Sequence, residues 1–340
     1  MLKNFTKAAA ASVVFAALST SAFAADMTLK FQSSDPSGNP NFILQQGWAE
    51  LVKEKTNGKV AIELLPVKSI VAHTETQDAI AGGILDGHIT DTSYFSGKDP
   101  AFGLIANPVG AWSAPQEMFD FMNKGGGKEL MNELMNPYGL QFIGATTPGL
   151  EAFVSKKPLN GVDDLKGLKM RAPEGLVQQV FAAAGASPVN LPGSEVFTSL
   201  DKGVIEAADY SVFSTNASQG LHDVASNPVY PGFHSMPLVE VSMNKAKWDS
   251  LDAETQTAIT EAVNEFALSQ VAALAAKDKE AVEAAKAGGK VTVTDWPAEE
   301  RAKFRKIAAS QWVKVAERSK NAQRVYDVLT SYLEENGLIK

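Results

Sequence analysis

Residues 163–173 read Asp-Asp-Leu-Lys-Gly-Leu-Lys-Met-Arg-Ala-Pro, and Arg171 is the side chain in that run best suited to chemistry. A short strand-like segment, 167–171, ends on it, and Pro173 soon stops regular structure. A guanidinium presents parallel N–H donors that match a carboxylate or sulfonate in a two-bond fork, and it stays charged at any relevant pH. At the end of a parallel strand it faces the crevice in which open α/β sheets hold ligands. A surface arginine or an interlobe ion pair is the plainer alternative, and the rest of the chain has to choose between them.

Competing chemistry is thin. His73, His88, His222 and His234 show neither the HExxH spacing nor a paired-ligand pattern, so ordinary polar or capping roles fit them better than zinc. Gly125-Gly126-Gly127-Lys128 lacks the leading glycine of a phosphate loop, and Glu129 stands where Ser or Thr is required; a plain helix-entry turn explains it. Neither GxSxG nor GxGxxG occurs, and Asp163-Asp164 reads as solvated capping acids. The chain has no cysteine, which removes disulfides, thiolate metal sites and cysteine nucleophiles. An exported α/β enzyme would need a nucleophile–base pair, and the sequence offers none, so it reads as a binding protein.

The elements that must position Arg171 follow an α/β rhythm. Residues 28–34 alternate as a strand, and Phe42, Ile43, Trp48, Leu51 and Val52 recur as one face of a helix closed by Asn57-Gly58. A strand at 59–65 and a helix at 75–84 follow, which implies mixed, mostly parallel sheets with helices on both faces. A second set of strands, at 140–147, 167–171, 187–191 and 205–210, alternates with helices at 176–184 and 195–202 and reads as a second lobe with its own sheet. Residues 253–287 contain neither Gly nor Pro and repeat apolar side chains at Ile259, Val263, Phe266, Leu274 and Val282. A helix of that length measures about 50 Å, longer than one small lobe, so it is expected to run across both. Residues 297–338 read as further amphipathic helices.

The expected organisation is therefore a signal peptide at 1–24, lobe I mainly at 25–145, lobe II mainly at 146–240, and a hinge strand, the long interlobe helix and C-terminal helices at 241–340. Lys3 and Lys7 precede a short apolar run, and Ala22-Phe23-Ala24 has the form of a signal-peptidase site, with cleavage expected after Ala24. The remaining chain carries 31 − 2 = 29 basic and 39 acidic residues, a formal charge of 29 − 39 = −10. That balance argues against nucleic acid and anionic membrane surfaces as partners. An exported, acidic, cysteine-free product fits a bacterial periplasm.

The order of residues adds a resemblance. Asp164-Leu165-Lys166-Gly167-Leu168-Lys169-Met170-Arg171, then Gly185-Ala186, Glu195-Val196-Phe197 and Gly203-Val204-Ile205-Glu206, closely resembles the core signature of the DctP family, the solute-binding subunits of TRAP transporters. The similarity extends over essentially the whole chain after the leader. Ser93–Phe102, Leu191–Glu195 and Tyr230–His234 resemble the branch that binds alpha-keto acids and lactate. The resemblance implies a two-lobed periplasmic solute-binding protein that captures a small organic anion, a 2-oxo or 2-hydroxy carboxylate or a relative, and delivers it to small and large membrane permease subunits. An alkanesulfonate ligand, or the binding subunit of a sensor, stays open beside that reading.

By resemblance the family arginine falls on Arg171. A Na⁺ or Ca²⁺ ion bridging the ligand would fall on Asp209 and on the backbone carbonyl of Tyr210, which stands where the branch has Trp. The Gln that the branch shows near Thr147 is missing, which leaves both the cation and the transfer of pyruvate or lactate open. Tyr94, Phe95 and Phe233 are candidate aromatic walls of the site, Thr147 a candidate hydroxyl donor, and Glu195 a structural acid at a helix start. Some family members pair through a long helix, so a homodimer is a further expectation.

Overall fold

The computed structural model describes residues 26–338; the expected leader and its cleavage site lie outside the described residues. Two sheets organise the chain. The first contains β1 (Met27–Ser33), β2 (Val60–Leu65), β3 (Gly87–Asp91), β4 (Leu140–Thr146) and β9 (Val239–Asn244), in the order β2-β1-β3-β9-β4. The second contains β5 (Ala152–Ser155), β6 (Lys169–Arg171), β7 (Ser187–Val189) and β8 (Ala207–Ser211), in the order β5-β8-β6-β7. β1 pairs in parallel with β2 and β3, and β6 with β7 and β8; β9 and β5 are the antiparallel members.

One expectation is corrected here. The strand at 140–147 is expected by its place in the sequence to group with the later strands, although the boundary at 145 leaves most of it in lobe I. It is the edge of the first sheet, because β9 returns antiparallel between β3 and β4 and closes that sheet. The chain leaves the first sheet after Thr146 and re-enters it at Val239, and 147–151 and 231–238 are its crossings between the lobes.

The helix Pro40–Lys55 buries Phe42, Trp48 and Val52 but leaves Ile43 57% exposed, one step round the helix from the buried stripe. Asn39 caps its start by accepting from the Asn41 N–H, and Asn57 and Gly58, both at positive φ, turn the chain out of it. The helix expected at 75–84 is shorter, Thr76–Ala81, after a single 3₁₀ turn at His73–Glu75. Gly126 at φ 90° caps the helix Gly127–Met135, so the triple glycine is a helix entry.

The long helix is Ala253–Gly288, which at 1.5 Å per residue measures about 54 Å. Its first half packs Ile259, Val263 and Phe266 onto Leu29, Trp48, Ile143 and Val241 of the first lobe. Its second half packs Val282 with Ala152 and Phe213 of the second lobe, and Asp278 accepts from the Ser214 N–H at 2.7 Å. Two further helices, Ala298–Ala316 and Lys320–Glu335, complete the core with Phe304, Trp312, Val325 and Leu329. No helix among the described residues is long and apolar enough to cross a membrane.

Candidate ligand-binding site

The parallel strands of both sheets end at one crevice. Asp35 follows β1, Asp91 ends β3, Arg171 ends β6, and Asp209 and Ser211 lie at the end of β8. Glu151 precedes β5, which is antiparallel, so it reaches the same end of its sheet. These side chains, with Asn39, Asn41, Tyr94 and Tyr210, line a cavity of about 50 Å³ between the lobes. It is the place where open α/β sheets bind ligands.

Arg171 is 4% exposed, and two main-chain carbonyls aim it. Its Nε donates to the Leu191 carbonyl at 3.1 Å and its Nη1 to the Asp209 carbonyl at 2.7 Å. A guanidinium has five N–H donors. Three remain, beside the Tyr94 hydroxyl, for whatever enters the cavity. Burial alone would lower the arginine's pKa, but Tyr94, Asp209, Glu151 and Asp91 around it outweigh burial and raise it.

The acids are unequal. Burial pushes Asp35 up to about 6, against opposing hydrogen bonds from Gln45 and Asn41. Burial likewise pushes Asp91 up to about 6, although the Ser93 N–H and Arg171 work the other way. Burial and the neighbouring Asp209 charge raise Glu151 well above the usual carboxylate range. Burial also acts to raise Asp209, but His234, Glu151 and Arg171 outweigh it and hold that carboxylate low. Tyr210 is raised to about 12, by burial first.

Glu151, Asp209 and His234 form a compact group at the crossings. One ligating atom from each lies within 4.8 Å of the others. His234 Nε2 is 3.1 Å from Asp209 Oδ1, while Asp209 Oδ2 is buried without a partner. Ser235 donates its hydroxyl to Glu151 and accepts from Asn107 Nδ2 at 2.6 Å, and the Glu151 N–H donates to the Ser235 carbonyl at 2.9 Å. The two crossings touch tightly enough that a Cβ on Gly232 would fall 1.9 Å from the Glu151 carbonyl oxygen.

The structure brings Arg171, Tyr94, Asp209 and Tyr210 together, and keeps Phe95, Thr147 and Phe233 out of the cavity lining. Phe95 is buried in the first lobe, stacked on His88 at 5.6 Å, because a 3₁₀ turn carries it inward while Tyr94 faces the crevice. Phe233 stacks on Trp296 at 3.8 Å, as part of the aromatic core under the C-terminal helices. The Thr147 hydroxyl is turned back to accept from the Gly149 N–H at 3.2 Å. Glu195 bridges the lobes instead of serving only its helix, with an oxygen 3.6 Å from Lys68 Nζ. Asp35, Asp91, Asn41, Glu151 and His234 were missed. Asp35 and Asp91 each stand within two residues of a strand end, the one signal that pointed to them.

A family model described as "Bacterial extracellular solute-binding protein, family 7" (DctP) matches residues 31–319. The chain belongs to this family. It is a TRAP solute-binding protein with the two-lobed fold. A relative from Nostoc sp., named a monocarboxylate 2-oxoacid-binding periplasmic protein, is 29% identical over 262 residues, covering 76% of this chain and 71% of the relative. A TRAP periplasmic solute-binding protein from Rhodobacter sphaeroides, solved in an apo open state, is 67% identical over 92% of this chain and 99% of that one, with a TM-score of 0.77. A TRAP solute-binding protein from Bordetella bronchiseptica, a dimer with calcium and picolinate in one site, is 21% identical over 91% and 92%, with a TM-score of 0.84.

Proposed function

We propose that the protein is the periplasmic capture subunit of a TRAP transporter, that it binds a small organic acid, and that it hands the acid to membrane permease subunits. The observation that carries this reading is Arg171: a buried cation, aimed by two carbonyls, on the lining of the cavity between the lobes. The ligand's acid group takes the arginine fork, as a 2-oxo or 2-hydroxy carboxylate or a relative of these. A sulfonate fits the same fork, so the sulfonates belong in the same screen.

Ligand release requires the lobes to part. Asn39 Nδ2 donates to the Tyr210 hydroxyl at 3.3 Å, Gln219 Nε2 to the Gly38 carbonyl at 3.2 Å, and Lys68 faces Glu195, all across the crevice. The 67%-identical Rhodobacter sphaeroides protein was solved in an apo open state, which supports lobes that move as bodies. Residues 147–151 and 231–238 are the natural hinge. Closure removes the ion pair at Arg171 from water and strengthens it.

A bound cation fits part of the site. Asp209 Oδ2 and the Glu151 carboxylate are oxygen donors of the kind Na⁺ and Ca²⁺ take. His234 is a poorer ligand for such ions and already meets Asp209. The ion would supply positive charge beside the ligand's acid oxygens.

The test is a thermal-shift screen of the ligand-stripped protein against 2-oxo acids, 2-hydroxy acids, dicarboxylates, alkanesulfonates, sugar acids and neutral polyols, with and without Na⁺ or Ca²⁺. Ligand at a hundredfold excess over Kd stabilises by about 2.7 kcal/mol. A shift with an acid that Arg171→Ala abolishes supports the reading; shifts with neutral polyols alone, kept in Arg171→Ala, sink it.

A further inference from the structure

The cavity carries far more acid than one bound anion can use. Arg171 is the sole cationic side chain among the described residues that line it, against Asp35, Asp91, Glu151 and Asp209. Glu151 and Asp209 lean on each other and on His234 at the crossings, which leaves Asp35 and Asp91 as the acids on the wall opposite Arg171. Asp35 and Asp91 are acceptors whose Gln45 and Ser93 contacts leave lone pairs unused, so a ligand that brings donors as well as an acid group matches both walls. A 2-oxo acid brings no donor to that wall.

We propose that the captured anion is a small zwitterion, its acid group on the Arg171 fork and its ammonium against Asp35 and Asp91 on the opposite wall. This rests on the anion reading of Arg171 given above. Asp35 and Asp91 stand at the ends of the neighbouring strands β1 and β3, facing the lobe that supplies Arg171. Asp35 accepts from Gln45 Nε2 at 2.9 Å and Asp91 from the Ser93 N–H at 2.8 Å, contacts that fix the carboxylates without neutralising them. The rings of Tyr94 and Tyr210 share the lining, and an aromatic face suits an ammonium.

A metal ion does not answer the same charge. The three side chains close enough to share an ion, Glu151, Asp209 and His234, belong to the crossings and β8; Asp35 and Asp91 are outside that group. Size narrows the ligand further. At roughly 10–15 Å³ per water-sized position, about 50 Å³ holds some three to five such positions. That favours the smallest such ligands, with the acid and the ammonium separated by one or two carbons.

The experiment is calorimetric titration of the full chain, stripped of carried-over ligand, in sodium-free buffer with a chelator. Matched sets are compared: alanine with pyruvate and lactate, β-alanine with 3-hydroxypropionate, taurine with isethionate. The expected result is one zwitterion bound at least a hundredfold tighter than its oxo or hydroxy partner, since the oxo acid brings no donor and the hydroxy acid a single uncharged one. Asp91→Asn and Asp35→Asn should each shrink that ratio at least tenfold, with unchanged circular dichroism. Arg171→Ala should abolish binding of every member. The carboxylate and sulfonate sets decide which acid group the fork prefers. Equal or tighter binding of the oxo or hydroxy partners overturns the zwitterion and leaves the anion reading standing. Binding of those partners only when Na⁺ or Ca²⁺ is restored overturns it in favour of a metal, and an absence of zwitterion binding overturns it too. Binding that survives Arg171→Ala is the separate outcome that removes the anion reading itself.

Discussion

Arg171 Nη1 donates to the main-chain carbonyl of Asp209 at 2.7 Å, across the paired strands β6 and β8. The cation of the site is thus aimed by backbone, and its direction does not depend on the charge of the Asp209 side chain. Arg171→Ala leaves the ligand's buried acid unpaired, a loss of about 3–5 kcal/mol, or roughly two to three and a half decades in Kd. Arg171→Lys should not restore affinity, because an ammonium cannot hold two carbonyls and still present a planar fork. Titration calorimetry of both variants checks this, and a lysine variant with near wild-type affinity would contradict it.

Asp35 and Asp91 lie at about 6 in the folded protein, above the 3.8 of a free aspartate. Between those values the native state binds more protons than the unfolded chain, so stability falls as pH rises from about 4 through 6 and stays low above. Each shift of about two units corresponds to roughly 3 kcal/mol. Asp91→Asn should therefore raise the melting temperature of the unliganded protein at neutral pH and flatten its slope over pH 4–6. Scanning calorimetry across that range reads both; an unchanged slope would count against the assignment.

Gly232 and Gly47 predict opposite signs. A methyl on Gly232 meets the Glu151 carbonyl, so Gly232→Ala must displace a crossing and cost about 1–3 kcal/mol or more. Gly47, in the helix Pro40–Lys55 with nothing within 4 Å of an added Cβ, should gain about 0.5–1 kcal/mol as alanine. Melting temperatures of the pair give the comparison directly.

Lys68 and Glu195 are half exposed and 3.6 Å apart across the crevice. Such a pair contributes about 0.2–1 kcal/mol, and here it does so in the closed state. Glu195→Gln should speed ligand release by up to about fivefold at low salt, an effect that fades near 1 M salt. Stopped-flow release rates at the two ionic strengths test it; equal acceleration at both would assign the change to packing.

The fold was legible where period and punctuation were strong. The long helix declared itself through an unbroken run of helix formers, and Asn57-Gly58 marked a real helix end. The membership of β4 was not legible, because the strand that fixes it, β9, arrives almost a hundred residues later. At the site, Arg171 and Asp209 came from residue order, and Tyr94 from its neighbourhood. Phe95 and Phe233 read as walls because aromatic residues in a loop look alike until a turn decides which ring faces inward. Glu151 carries no motif, and His234 ends the Tyr230–His234 stretch with no sign of the acids it meets. They meet because two crossings of the chain meet, a fact of topology that no window of sequence contains.

The long helix is gripped twice, by Ile259, Val263 and Phe266 in one lobe and by Asp278 and Val282 in the other. A rod clamped at both ends cannot follow two bodies that swing apart without flexing between the clamps, near residues 267–277. A solute sealed in the crevice is hidden from the surroundings, yet the spacing of the lobes it holds sets the strain on that rod. Leu268, 56% exposed, lies on the outer face of this stretch while Ala267, Gln270 and Leu274 face inward, so a change of curve there would be displayed on the outside of the molecule.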